Sequence, residues 1–137
     1  MTKFLHKFLF ILLIMILSSS PGILQGQEIT STLVSYVKDG DVTSLAEYFQ
    51  TTIDIGLPEK DQDYSKTQAE MVLKDFFKNN PCTEFKLESS GESENQTFHI
   101  IGTYQSNQEK YQVLILMKKH SESEKMLIYK IKFEKKT

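Results

Sequence analysis

The chain has 137 residues, 39% hydrophobic, 25% charged and 11% aromatic, a composition that excludes a disordered or collagen-like polymer and suits one domain. All 16 basic residues are Lys, against 18 Asp plus Glu. The charge is also uneven: residues 27–109 hold 6 Lys and 15 acids, residues 110–137 hold 8 Lys and 3 acids. An acidic chain without Arg is a poor partner for nucleic acid, because phosphate binding draws on clustered cations.

Residues 1–26 read as a secretory signal peptide. Lys3 and Lys7 precede the apolar run Phe8–Leu17, and Ser18, Ser19, Ser20, Pro21 and Gly22 follow it. Ten apolar residues fall short of the ~20 that a spanning helix needs, which argues against an uncleaved anchor. Cleavage fits after Gly26, ahead of the polar Gln27-Glu28, with Gly22 as the alternative site. The expectation is an exported protein, periplasmic or secreted, with residues 27–137 as its domain and no stable membrane insertion after cleavage. Removing the leader leaves 14 Lys and 18 acids, a net charge of −4.

The spacing of Ile29, Leu33, Tyr36 and Val37 predicts an amphipathic helix over 28–38, ended at Asp39-Gly40-Asp41. Asp41 then caps a second helix over 42–49, with Val42, Leu45, Ala46 and Phe49 on its apolar face. From Thr51 the period becomes two, and Ile53, Ile55 and Leu57 predict a half-buried strand over 51–57. Pro58–Tyr64 reads as an acidic loop. Ser65-Lys66-Thr67-Gln68 is a capping box for a helix carrying Ala69, Val72, Leu73, Phe76 and Phe77, stopped at Asn79-Asn80-Pro81.

Beyond Pro81 four strands are predicted, over 83–89, 97–105, 110–119 and 125–135, joined by polar turns that make antiparallel hairpins. Phe98, Ile100 and Tyr104 face one side of the second of these, His99, Ile101 and Thr103 the other. The third strand is apolar on both sides, with Tyr111, Val113, Ile115 and Met117 on one and Leu114 and Leu116 on the other. In the last, Leu127, Tyr129, Ile131 and Phe133 alternate with Ile128, Lys130, Lys132 and Glu134. Gly102, inside a long strand, marks a bend. The fold class is α+β, with the helices on one face of a curved antiparallel sheet.

Tyr36-Val37-Lys38-Asp39-Gly40-Asp41, Leu45-Ala46-Glu47-Tyr48-Phe49 and Ile53-Asp54-Ile55 resemble the opening of nuclear-transport-factor-2-like (cystatin-like cone) proteins. Tyr64–Ala69-Glu70 and Phe76-Phe77-Lys78-Asn79-Asn80-Pro81, with Ile101-Gly102-Thr103-Tyr104 and Leu127–Ile131, resemble one branch of them, the domain-of-unknown-function 4783 family of exported Bacteroidota proteins. That resemblance implies a conical α+β domain with a pocket between helices and sheet, often dimeric through the sheet. It implies no activity, because the fold carries enzymes and binding modules alike.

Two kinds of site follow. Phe49, Phe76, Phe77, Phe98, Tyr104 and Tyr111 are candidate walls of a pocket for a small apolar ligand. Leu114, Leu116 and Ile128, framed by Lys118, Lys130 and Lys132, are the candidate interface of a homodimer. An isomerase- or hydrolase-like enzyme, the alternative, would use Asp54 as base with Tyr36 and His99 or Tyr104 in support, but Asp54 and His99 are out of phase with the core. The reading is therefore a non-catalytic binding module. No cofactor is expected, and His99 and His120 lack metal-ligand spacing. Cys82, without a partner in the chain, reads as a small buried hydrophobe. Asn95-Gln96-Thr97 fits a glycosylation pattern.

Overall fold

The computed structural model describes residues 21–107 and 109–137, with side chains from Gln25 onward; most of the expected signal peptide lies outside the described residues. Helix α1 spans Pro21–Asp39 and α2 spans Val42–Ala46. They are followed by strands β1 (Phe49–Leu57) and β2 (Lys60–Ser65), helix α3 (Lys66–Asn79), and strands β3 (Cys82–Glu92), β4 (Thr97–Ser106), β5 (Glu109–Lys119) and β6 (Met126–Lys135). The six strands form one sheet in the order β2-β1-β6-β5-β4-β3. The helices pack on one face of it, giving the expected α+β cone.

The caps form as their residue types dictate. Gly40 adopts φ 66°, the left-handed conformation that ends α1. The Asp41 carboxylate accepts from Ser44 N at 3.2 Å and Ser44 Oγ at 2.6 Å. At α3, Gln68 N donates to Ser65 Oγ and Ser65 N donates to Gln68 Oε1, each at 3.3 Å, so both arms of the box close.

Four features depart from the expectation. Helix α2 stops at Ala46, and Phe49 opens β1 instead of closing a helix. Residues 60–65, expected as loop, form an edge strand antiparallel to β1. An edge strand facing water needs no apolar alternation, and charge along it blocks further pairing, so Lys60, Asp61 and Asp63 hide the strand from a periodicity reading. Strand β3 runs on to Glu92, through residues expected as a turn. Finally, β1 pairs with β6 in parallel, the one parallel contact in an otherwise antiparallel sheet.

The register of β6 corrects another expectation. Leu116 pairs with Lys130, but Met117 pairs with Ile128, so Tyr129 is an extra residue in a bulge. The bulge reverses the side-chain phase before it. Ile128 therefore joins Ile131 and Phe133 in the core, fully buried, while Leu127 and Tyr129 do not.

Gly102 pairs with Leu87, beside a register shift in β3. A Cβ there would lie 2.5 Å from Phe85 Cζ and 2.9 Å from the Lys86 carbonyl oxygen. Glycine is required at this position by close approach of neighbouring atoms, in addition to the local irregularity.

Candidate functional site

The two ends of the cone differ. At the α3 end the aromatic residues pack on one another. Phe76 lies 4.6 Å from Phe133 and 5.4 Å from Tyr111 between ring centroids, and Phe77 stacks on Tyr104 at 5.9 Å. Their polar atoms converge on one residue: Tyr104 Oη donates to the Asn80 carbonyl at 2.5 Å, and Tyr111 Oη donates to Asn80 Oδ1 at 2.9 Å. Burial pushes both phenol groups above their ordinary pKa, Tyr104 the further. Neutral phenols fixed as donors on Asn80 make a structural plug.

Five of the six residues expected to wall a ligand pocket, Phe49, Phe76, Phe77, Tyr104 and Tyr111, are thus buried packing. The reason is physical: a stripe of large rings on a helix and on the facing strands fills the space it encloses.

The opposite end is open. A groove of about 1140 Å³ lies between the first turns of α1, the α2–β1 connection and the ends of β3–β6. Ile29, Tyr48 and Met126 line it as apolar residues that also pack on the core, and Phe98, the sixth predicted wall residue, lines it too. Glu47, Glu92, Lys119 and Lys125 give it a rim of mixed charge. Phe98 and Glu92 are cross-strand partners, as are Met126 and Lys119, so each apolar residue stands beside a charged one. Periodicity alone missed Tyr48 and Met126 as site residues because they sit at or beside the end of an element, where a core position and a rim position read alike. It missed Ile29 because its place on the apolar stripe of α1 reads as core. Backbone also contributes: a Cβ added to Gly26 would lie 3.3 Å from Phe98 Cε2, so α1 rests directly on that ring.

The candidate catalytic residues lie elsewhere. Asp54 and His99 are on the outer face of the sheet, in one cross-strand row Asp54–Lys130–Leu116–His99. Three inter-strand steps separate them by about 14 Å. Lys130 Nζ donates to Asp54 Oδ2 at 2.7 Å. Burial works against the Asp54 carboxylate, but the Lys130 hydrogen bond leads the influences that leave its pKa below the ordinary value, and the same bond raises Lys130. A carboxylate held ionised by a lysine is a poor proton acceptor at neutral pH. His99 is flanked by Ser89 Oγ on Nε2 at 3.0 Å and Ser93 Oγ on Nδ1 at 2.7 Å, and it is not among the residues that line the groove. Tyr36 sits on α1 with its ring centroid 6.4 Å from that of Tyr48. These three residues do not meet in a common site.

The same outer face carries the predicted interface residues Leu114 and Leu116, both half-buried, with Ile101 beside Leu114 in register. Ile128 is removed from that set by the β6 bulge, which turns it into the core. Cys82 is partly buried, and burial raises its thiol pKa, which keeps it protonated. Among the described residues, none of the helices is long and apolar enough to cross a membrane, and no cluster of His, Cys, Asp and Glu is arranged to hold a metal ion.

This architecture recurs in solved structures. A DUF4783 family protein from Bacteroides ovatus superposes with a TM-score of 0.70 at 20% identity, covering 77% of this chain and 93% of that one. One from Bacteroides uniformis gives 0.70 at 21% identity, covering 76% and 94%. The epoxide hydrolase/cyclase-like enzyme SalBIII, described in pyran ring formation in salinomycin, shares the fold at a TM-score of 0.61 and 12% identity, covering 83% and 92%. No curated protein matches significantly. The family model described as Domain of unknown function (DUF4783) matches residues 30–134, from the α1 turn that backs the groove to the end of β6. With that match and this fold, the chain belongs to the DUF4783 family, on the nuclear-transport-factor-2-like cone.

Proposed function

We propose that the protein is an exported, non-catalytic binding module that takes a small apolar or amphipathic ligand in the groove at the wide end of its cone. The observation that carries this reading is the groove itself. It combines an apolar lining of Ile29, Tyr48, Phe98 and Met126 with charged residues confined to the rim, the composition of a site that shelters hydrocarbon and leaves a polar head in water. Export is supported by Lys3, Lys7 and the Phe8–Leu17 run, and N-terminal sequencing of the exported protein tests it, with Gln27 expected as the first residue.

A thermal-shift screen with fatty acids, sterols and isoprenoids tests the ligand reading. A ligand at a hundred times its Kd adds about 2.7 kcal/mol of stability. For a domain of this size that raises Tm by roughly 10 °C. No stabilisation by any of the three classes overturns it.

A second reading concerns the outer face, where Ile101, Leu114 and Leu116 form a half-buried apolar row. Such a row is the expected footprint of a homodimer. Light scattering of the parent chain and of Leu116→Lys tests this, with a dimer expected for the first and a monomer for the second. A parent chain that is monomeric at high concentration rejects it.

A further inference from the structure

The groove has a wall that cleavage after Gly26 would remove. Gln25 and Gly26 line it together with Gln27, and all three belong to the first turns of α1. Gly26 lies against the Phe98 ring, close enough that an added Cβ would be only 3.3 Å from Cε2 and 3.7 Å from Cζ. Its carbonyl is held by the buried Thr30, whose Oγ1 donates to Gly26 O at 2.8 Å. Phe98 is accordingly only 6% exposed, although it lies at the open end of the cone.

From this juxtaposition we infer that the stretch ending at Gly26 is a roof over the groove, and that signal cleavage after Gly26 opens the ligand site by uncovering Phe98. The inference rests on the groove being the binding site, and adds a control over it. Before cleavage the apolar lining is satisfied from within the chain by backbone of α1. After cleavage the ring loses that cover, and an apolar ligand placed on Phe98, between Tyr48 and Met126, replaces it. A folded chain that still carries its signal peptide would thus be kept from taking up apolar molecules until the peptide is removed.

Among the described residues, every buried hydrophobic side chain lies between Leu33 and Phe133, so a chain beginning at Gln27 keeps that whole set, and its circular dichroism spectrum and cooperative melt are expected to match those of the longer chain. The test compares chains 21–137 and 27–137, both matched for melting temperature, in titrations with the fluorescent apolar probe N-phenyl-1-naphthylamine. The shorter chain is expected to bind at least tenfold more tightly, and Met126→Lys in that chain to weaken binding about tenfold. Equal binding by both chains, or tighter binding by the longer one, overturns the roof while leaving the groove as a site. Binding by neither overturns the groove reading and the roof with it. An exported protein whose first residue is Ile23, the product of cleavage after Gly22, keeps Gln25 and Gly26 in place and also overturns the roof.

Discussion

At Gly102 a single hydrogen decides whether β3 and β4 can meet. An alanine methyl would have to share space with the Phe85 ring and with the Lys86 carbonyl, and the carbonyl cannot swing aside without breaking the strand pair. Gly102→Ala is expected to cost about 1–3 kcal/mol in urea melts, with Phe85→Leu in the same chain recovering only the part due to the ring. Asp54 offers a different kind of test. Its folded pKa lies below the ordinary value, so the stability it supplies is present above its unfolded pKa near 3.9 and is lost as pH falls through the lower folded value. Lys130 is raised, so its share is present below about 10.4 and is lost as pH climbs past its folded value. The pair is more than a quarter exposed on each side, which limits it to about 1 kcal/mol. Asp54→Asn should therefore destabilise by up to about that amount at pH 7, and the difference from the parent should fade as pH falls through the lowered folded pKa of Asp54. The sequence identified Asp54 as facing away from the core by its phase alone. It held no sign of Lys130, 76 positions away, because cross-sheet partners are set by strand order and not by spacing.

Elements were legible where their ends carry chemistry. Helix α3 formed where Ser65 and Gln68 announced it, and Ser65→Ala should cost about 1 kcal/mol by leaving the Gln68 amide without its acceptor. Strand β2 was not legible, since an exposed polar edge strand lacks the alternation by which strands are recognised. Strand β6 was recognised as a strand but read in one continuous phase, and the extra residue Tyr129 broke that phase. A bulge leaves no mark in the pattern when apolar residues occupy both phases, as Leu127, Ile128 and Tyr129 do. Two substitutions separate the corrected phase from the original one. Ile128→Lys buries an unpaired charge in the core and should unfold the domain or cost more than about 3 kcal/mol, read by circular dichroism and urea melts. Leu116→Lys, on the outer face, should cost no more than about 1 kcal/mol when both chains are melted at a dilution where the parent is monomeric.

Across the whole molecule, the densest aromatic packing and the open groove sit at opposite ends of one sheet. The α3 end is closed by Phe76, Phe77, Tyr104, Tyr111 and Phe133, and the far end is left open around Phe98. Phe133→Ala is expected to cost about 3–5 kcal/mol through the cavity it leaves, yet to preserve probe binding in the groove under conditions where the variant is folded. Of the six residues read as pocket walls, Phe98 lines the groove and the other five are buried packing, because a rich aromatic cluster marks where packing is densest. A groove depends instead on where strands stop, and that is a property of register.

One pairing fixes when this sheet is complete. The parallel contact between β1 and β6 joins residues near position 50 to residues near position 130, so the first hairpin has no neighbour until the final strand is present. During synthesis the β1–β2 hairpin, with α3 packed against it, cannot join the other strands before β6 appears, and β6 is the keystone between the two parts of the sheet. Long-range closure of this kind is slow and cooperative. The sheet accordingly stays incomplete until β6 is free to pair, which suits a polypeptide proposed to pass a translocation pore before it folds.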